Sequence, residues 1–387
     1  IIQKYGGIQP ARISKIQRQK VDTYKKAVEQ VSNGKIKEGV KALDNMGAIK
    51  EANDFQELKE NVASEYVNAV KSKEDTLIVA TTHAQGISVT HSIREKLKAE
   101  KLVSKDEKTI TIQKNLSFTE PQKQDAKNYQ EGMSIQFHQN VKGGIKRGAR
   151  YDVKGKDQEG NILINELGAA EKKNDIILPL ESAKQFSVYE KQEINIAQGD
   201  NIRITQNGFS TAKQRVNNGN ILSIKGFDDN GNIIASTGKR DITLSKDFGN
   251  LTHGYYTTSP ASQGKSVNRV IVMESSLSGK AASKEQFYVS ASRGKFAISI
   301  HTDDKDNLLR SVTRSTQRMT ATEIANDNRS SKVIDLKDRL KKMGSIYRAV
   351  KSKVANFKDS INKDQAIIKM NPKPQKQIAH AAPTKRK

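Results

Sequence analysis

Between positions 20 and 72 apolar residues recur at helical spacing in three runs: Val21, Tyr24, Val28 and Val31 before Gly34; Ile36, Val40 and Leu43 before Gly47; and Phe55, Leu58, Val62 and Tyr66. Spacing of three and four puts an apolar stripe on each helix, and glycine is a common stop. The unbroken run Leu77-Ile78-Val79-Ala80 reads as a strand that passes through Thr81-Thr82-His83 into a helix with Val89, Ile93 and Leu97 inward. Strand, loop and helix in this order are the unit of an α/β sheet, whose ligands bind at loops on the strand ends.

From about Gly132 to Phe248 the period falls to two, in Ser134–Phe137, Asn161–Ile164, Glu193–Ile196, Asn201–Ile204 and Asn232–Ile234, with turn signals such as Gly199-Asp200 and Asn230-Gly231 between them. Short strands at this spacing predict a small β-barrel. The α/β pattern then returns, with a strand over Arg269–Val272, a helix over Ser283–Ser292 and a strand over Phe296–Ile300. A β-barrel inserted within one α/β domain is the fold this order implies. Further on, Leu336, Leu340, Met343, Tyr347, Val350, Val354, Phe357 and Ile361 step by four and three, the seam of a coiled coil or of one docked amphipathic helix. After Met370 the chain carries too few apolar residues to fold.

Charge changes the picture more than composition does. The 387 residues carry a net charge of +24, and a surplus of that size implies a polyanionic partner, nucleic acid first. Residues 331–387 alone hold 16 Lys and Arg against 4 Asp, half of that net charge. No apolar run reaches about 18 residues and no basic-plus-apolar leader opens the chain, so no membrane partner is expected and a cytoplasmic location is. With no Cys and six His at no ligand spacing, no metal site is expected on the chain's own residues. The sequence begins at Ile1 in apparently continuous structure, which implies a fragment of a longer protein.

Two segments carry the chemistry. Gly264-Lys265-Ser266 ends like a phosphate-binding loop, but Ser259 stands where the first glycine is needed and the segment precedes a strand. The longer stretch Leu251–Val272, followed by Phe287–Lys295, resembles motifs V and VI of superfamily 1B (RecD-like) DNA helicases. Gly254, Tyr255, Thr258, Gln263, Gly264 and Ser266 match the first motif; Tyr288, Val289, Ser292 and Arg293 match the second. Pro260 replaces the family's motif V histidine, which puts coupling efficiency, not the fold, in question. The resemblance implies a second RecA-like domain, with Arg293 as an arginine finger on ATP; an isolated Arg near a helix end would ordinarily be a surface ion pair. Gly6-Gly7, Ala11–Gln19 and Tyr24–Val28 resemble the helicase half of conjugative relaxases, in which Arg18 would be a second phosphate sensor and Gln19 an ATP contact. Gln263 and Gly264 would also face ATP.

By the same resemblance, residues 1–130 open the RecA-like domain, 131–248 form an inserted SH3-like barrel, and 249–305 complete the domain with motifs V and VI. Residues 306–370 form a basic helical extension and 371–387 a disordered tail. Thr82, His83, Thr258, Ser259 and Tyr288 would contact single-stranded DNA, though Thr82 and His83 fit a helix cap with an exposed histidine equally well. Phe137, Tyr189 and Phe209 are candidate stacking faces, with burial in a core the more common fate of such residues. ATP and Mg²⁺ would be shared with a missing N-terminal RecA-like domain. Further implied partners are upstream relaxase domains and the conjugation machinery. The alternative is a nucleic-acid-binding protein with vestigial helicase motifs, and a third reading is an assembly protein built on the heptad seam.

Overall fold

Helices α1 (Asp22–Ser32) and α2 (Ile36–Asn45) lead into strand β1 (Ile49–Glu51), helix α3 (Phe55–Lys71), strand β2 (Thr76–Ala80) and helix α4 (His83–Ala99) in the computed structural model, which describes residues 16–167 and 175–316. The Gly6-Gly7 part of the N-terminal resemblance, the heptad seam and the basic tail lie outside the described residues. Both long helices begin on side-chain caps. The Asp54 carboxylate accepts from Glu57 N at 2.8 Å, and the Thr82 hydroxyl accepts from Gln85 N at 3.3 Å.

After α4 the chain enters β3 (Glu107–Asn115), the short helix α5 (Glu120–Gln124), β4 (Ser134–Phe137), β5 (Arg150–Lys156), β6 (Ile162–Glu166), β7 (Ile176–Ile177) and the long β8 (Phe186–Ala197). There follow β9 (Asn201–Ile204), β10 (Gly208–Phe209), β11 (Arg215–Val216), β12 (Ile221–Phe227), β13 (Ile233–Ser236), β14 (Asp241–Leu244) and β15 (Leu251–His253). The remaining elements are β16 (Tyr256–Thr258), α6 (Ser259–Ser262), β17 (Val267–Met273), α7 (Lys284–Ala291), β18 (Gly294–Thr302) and α8 (Lys305–Thr313).

The mixed α/β class holds. Five strands in the order β1-β18-β17-β2-β16 form a wholly parallel sheet. Period two on its strands feeds both faces, as a doubly covered parallel sheet requires. Val270 and Val272 join Val28, Leu43, Phe287 and Leu308 from α1, α2, α7 and α8 on one side; Ile271 and Met273 join Leu58, Val62, Val89 and Ile93 from α3 and α4 on the other.

The strands between β3 and β15 form two antiparallel sheets, β3-β8-β4-β5-β6-β7 and β14-β13-β12-β9-β15, besides the β10–β11 pair. Where the period-two segment reads as one barrel, it is built on two hydrophobic clusters. One gathers Ile135, Phe137, Tyr151, Ile162 and Phe186, and the other Ile202, Leu222, Ile233, Leu244 and Leu251. Strand β8 serves both, with Phe186 and Val188 in the first and Ile196 in the second. β3 lies ahead of residue 131, where the sequence pattern opens the insert, and pairs with β8 over its whole length.

A buried charge cluster fixes the insert to the parallel sheet. Asp200 is fully buried and takes a bidentate pair from Arg94 on α4, Nε–Oδ1 at 2.9 Å and Nη2–Oδ2 at 2.7 Å. The Tyr255 hydroxyl donates to Asp200 Oδ1 at 2.6 Å, Ala197 N donates to its Oδ2 at 2.8 Å, and Glu107 on β3 takes the second bond of Arg94 Nη2 at 2.7 Å. Gly254 completes the junction, because a Cβ there would lie 2.9 Å from the Ile202 carbonyl carbon.

Two predictions follow from buried charge. Asp200→Ala strands Arg94 beside Glu107 alone, and urea unfolding should show a loss of about 3 kcal/mol, the low end for a broken buried pair. The second concerns Glu65 on α3. Burial opposes its carboxylate, but hydrogen bonds from His301, Lys50 and Ser299 outweigh burial and hold the carboxyl well below its ordinary range. A depressed folded-state pKa gives stability that is present above the unfolded carboxyl value of about 4.3 and lost as pH falls below it. Glu65→Gln should therefore flatten the acid limb of a stability–pH curve while lowering stability at neutral pH; an unchanged acid limb would refute the assignment.

Candidate functional site

Residues 16–20 run beside the start of β18, tied there by Lys20 N to Lys295 O at 2.8 Å. Gln19 is buried and spends its amide on Ser292 O at 3.1 Å and Gly294 O at 2.8 Å, one on either side of Arg293. Arg18 Nη1 donates to the same Ser292 carbonyl at 2.6 Å, and the Tyr24 hydroxyl donates to Ala291 O. The Gln19 side chain braces the arginine loop through its amide nitrogen.

Arg293 is only 7% exposed, yet its hydrogen bonds among the described residues go to uncharged acceptors. Nε donates to Val289 O at 2.6 Å, Nη2 to Ser292 Oγ at 2.7 Å and Nη1 to Lys265 O at 3.4 Å. Burial first, and the Arg18 charge second, push its pKa below the ordinary guanidinium value. Two guanidinium groups thus share one carbonyl-lined corner with no bonded carboxylate among the described residues, an arrangement that an anion would stabilise. Gln263 and Gly264 are exposed on the turn that leads to Lys265, whose carbonyl accepts from Arg293. Gly264 takes φ +85°, which suits glycine there. Tyr288 lies half-buried on α7 beside Arg293.

Of the other residues expected on DNA, His83 lines a cleft of about 550 Å³ between the parallel sheet and the insert, and Thr82, Thr258 and Ser259 do not. His83 Nδ1 lies 3.1 Å from the Tyr256 hydroxyl, and the Arg203 guanidinium covers the Tyr256 ring at 5.6 Å. Burial, then the Arg203 charge, lower the His83 pKa, so the imidazole enters neutral at pH 7. Lys265 is lowered in the same order by burial and Arg203. Thr82 is the α4 cap; Thr258 is half-buried at the end of β16. Ser259 is buried, with its hydroxyl 2.6 Å from that of Ser290, a contact that fastens α6 to α7.

A second cleft of about 680 Å³ continues from the first through His138, Thr205 and Gln206. Arg147, Arg215 and Phe209 line it, and none of the described residues lining either cleft is Asp or Glu. Of the three candidate stacking faces, Phe137 (1% exposed) and Tyr189 (6%) are core, and Phe209 (64%) is presented. Sequence reasoning missed Arg203, Tyr256, Arg147 and Arg215. For Arg203 the signal was available, because alternation with Ile202 and Ile204 puts it on the face away from the core.

No protein-family model matches this chain, and no curated protein does. The chain is similar to solved Pif1 helicase structures. One, of two Pif1 helicases unwinding forked double-stranded DNA, is 13% identical over 81% of this chain and 53% of that one, with a TM-score of 0.28. Another, from Bacteroides in complex with ADP-AlF3 and ssDNA, is 14% identical over 85% and 56%, TM-score 0.27. A third, from Candida albicans, is 12% identical over 84% and 59%, TM-score 0.26. The chain spans little more than half the length of those chains. Likeness of this extent leaves the chemistry to be argued from the side chains.

Gly86 on α4 lets the Tyr256 ring lie directly on the helix, where any Cβ would collide with it. Gly86→Ala should displace the ring from His83 and cost about 1–3 kcal/mol by overpacking. With no Trp in the chain, tyrosine fluorescence alongside thermal unfolding reads both effects.

Proposed function

We propose that this chain is the second RecA-like domain of an ATP-dependent, superfamily 1B translocase on single-stranded DNA, with an inserted SH3-like β region, and that Arg293 and Arg18 reach the terminal phosphate of ATP. The single observation that carries the reading is the buried Arg293 guanidinium bonded to uncharged acceptors beside Arg18, within the sequence pattern of motif VI. Such a corner fits a phosphate, which would supply the missing negative charge. Among the described residues no group of His, Asp and Glu could hold a metal ion, so Mg²⁺ and most of the triphosphate would be held by a P-loop domain elsewhere. ATP hydrolysis is what the bound nucleotide would supply; this chain's part is to place two cations and to withdraw them when the domains open.

The carboxylate-free clefts with Arg203, His83, Lys114 and Tyr256 support single-stranded DNA as the track. The N-terminal resemblance extends the reading to the helicase half of a conjugative relaxase, acting in the cytoplasm on plasmid DNA beside the conjugation machinery. No helix among the described residues is long and apolar enough to cross a membrane.

With the P-loop domain supplied, Arg293→Ala should lower the ATPase kcat by about a thousandfold, the lower end for an arginine finger. Affinity for oligothymidylate should stay within about threefold, because phosphate contacts in the cleft carry binding. Loss of DNA binding with no ATPase effect would favour a nucleic-acid-binding protein with vestigial motifs.

A further inference from the structure

The two sheets of the insert are two copies of one module. Strands β8-β4-β5-β6-β7 and β15-β9-β12-β13-β14 share one order. Ser134, Ile135 and Gln136 pair with Asp152, Tyr151 and Arg150; Asn201, Ile202 and Arg203 pair with Ser223, Leu222 and Ile221. β5–β6 and β12–β13 break register at the same point, after Val153 and after Ile224. Residues 145–164 have counterparts 71 positions later (Gly148 to Gly219), with Lys154, Gly155, Asp157, Gly160, Asn161 and Ile162 repeated as Lys225, Gly226, Asp228, Gly231, Asn232 and Ile233.

Backbone bonds repeat with the residues. Gly132 N donates to Val153 O at 3.0 Å and Gly199 N to Ile224 O at 2.9 Å; Gly148 N donates to Phe137 O and Gly219 N to Ile204 O, both at 2.8 Å. Asp157 accepts from Asn161 N at 2.8 Å, as Asp228 does from Asn232 N. An aspartate turn alone arises easily by convergence. A shared bulge, strand order and pair of glycine brackets do not.

The equivalence says what the copies do. Gln136, His138 and Ser187 of the first correspond to Arg203, Thr205 and Thr252 of the second, and all six line the continuous pair of clefts. Both copies therefore turn the same strand face toward one space. The hairpin after β4 is a short turn closed by Val141 and Ile145, whereas its counterpart is the longer β10–β11 hairpin that carries Phe209 into solvent. One exposed Phe is ordinary by itself. Here it stands with Arg147 and Arg215 on a cleft without carboxylates.

Resting on the single-strand reading above, we propose that the insert is a tandem duplication and that the cleft between its copies is a further single-stranded DNA subsite, with a base on Phe209 and phosphates against Arg147 and Arg215.

The test is anisotropy at low salt with labelled oligothymidylates of about 5 and about 15 nucleotides, lengths that bracket one and two module-sized sites. Wild type should bind the longer strand more tightly. Phe209→Ala, and Arg147→Ala with Arg215→Ala, should each lose about tenfold on the long strand and leave the short one unchanged. Phe209→Tyr should restore the long-strand affinity, since stacking needs only the ring face. Wild-type affinity for the long strand in either alanine variant, or equal losses on both strands, would overturn the subsite. A wild-type chain that binds neither strand would remove the single-strand reading itself, and the subsite with it.

Discussion

Asp200 is the residue on which the arrangement depends. A fully buried carboxylate must be matched by donors, and here the donors come from three parts of the chain: Arg94 on α4, Tyr255 before β16, and the backbone at Ala197. The insert leaves the parallel sheet after α4 and returns at β16, so this one carboxylate ties its exit to its return. Desolvation makes such a cluster poor as a source of stability but exacting about geometry, since each missing partner strands a charge. The cleft between sheet and insert inherits its shape from that demand. Its Arg203 and Tyr256 lie within three residues of Asp200 and one residue of Tyr255 respectively.

Set against Asp200, the Arg293 corner shows the opposite treatment of charge. Arg94 is matched by two carboxylates, while Arg293, equally buried, is given carbonyls and a hydroxyl and a second cation nearby. Carbonyl dipoles orient a guanidinium but do not neutralise it. Gln19 and Tyr24 brace the loop from the chain's other end, so the fold fixes the backbone at an electrostatically incomplete place. Structural arginines are not ordinarily left so among the residues that surround them, and the proposed phosphate would complete the corner.

Much of the α/β part was legible because its strands are buried on both faces and its helices on one. Leu77–Ala80, Arg269–Val272 and the helical runs of α1 to α4 announce themselves by period alone. The insert was harder. Thr109-Ile110-Thr111-Ile112 alternates as a strand should, yet its partner is β8, far along the chain, and period does not name partners. Two modules sharing the spine β8 look like one run of strands until the repeat of Lys-Gly, Asp and Gly-Asn-Ile is aligned. Side-chain roles were least legible. Ser259 and Ser290 bond across α6 and α7, and Gln19 bonds across most of the chain, contacts for which local sequence holds no sign.

Duplication explains which positions the two modules kept and which they changed. Glycines that turn the backbone, the Asp–Asn turn and the inward aliphatics recur, because each is demanded by the same strand geometry. The outward positions on the shared cleft do not recur: Gln136 stands against Arg203, His138 against Thr205, and Arg147 against Asn218. Geometry tolerates any polar side chain there, so the differences reflect what the cleft holds. Cations are spread along its length, Arg203 near the parallel sheet, Arg147 and Arg215 between the modules. A compact anion would be met by cations gathered at one point, as at Arg293, whereas cations distributed along a continuous cleft match a charge that is itself extended. Both patterns of cations occur in the molecule, and the proposed reading assigns a phosphate to the corner and a strand to the path.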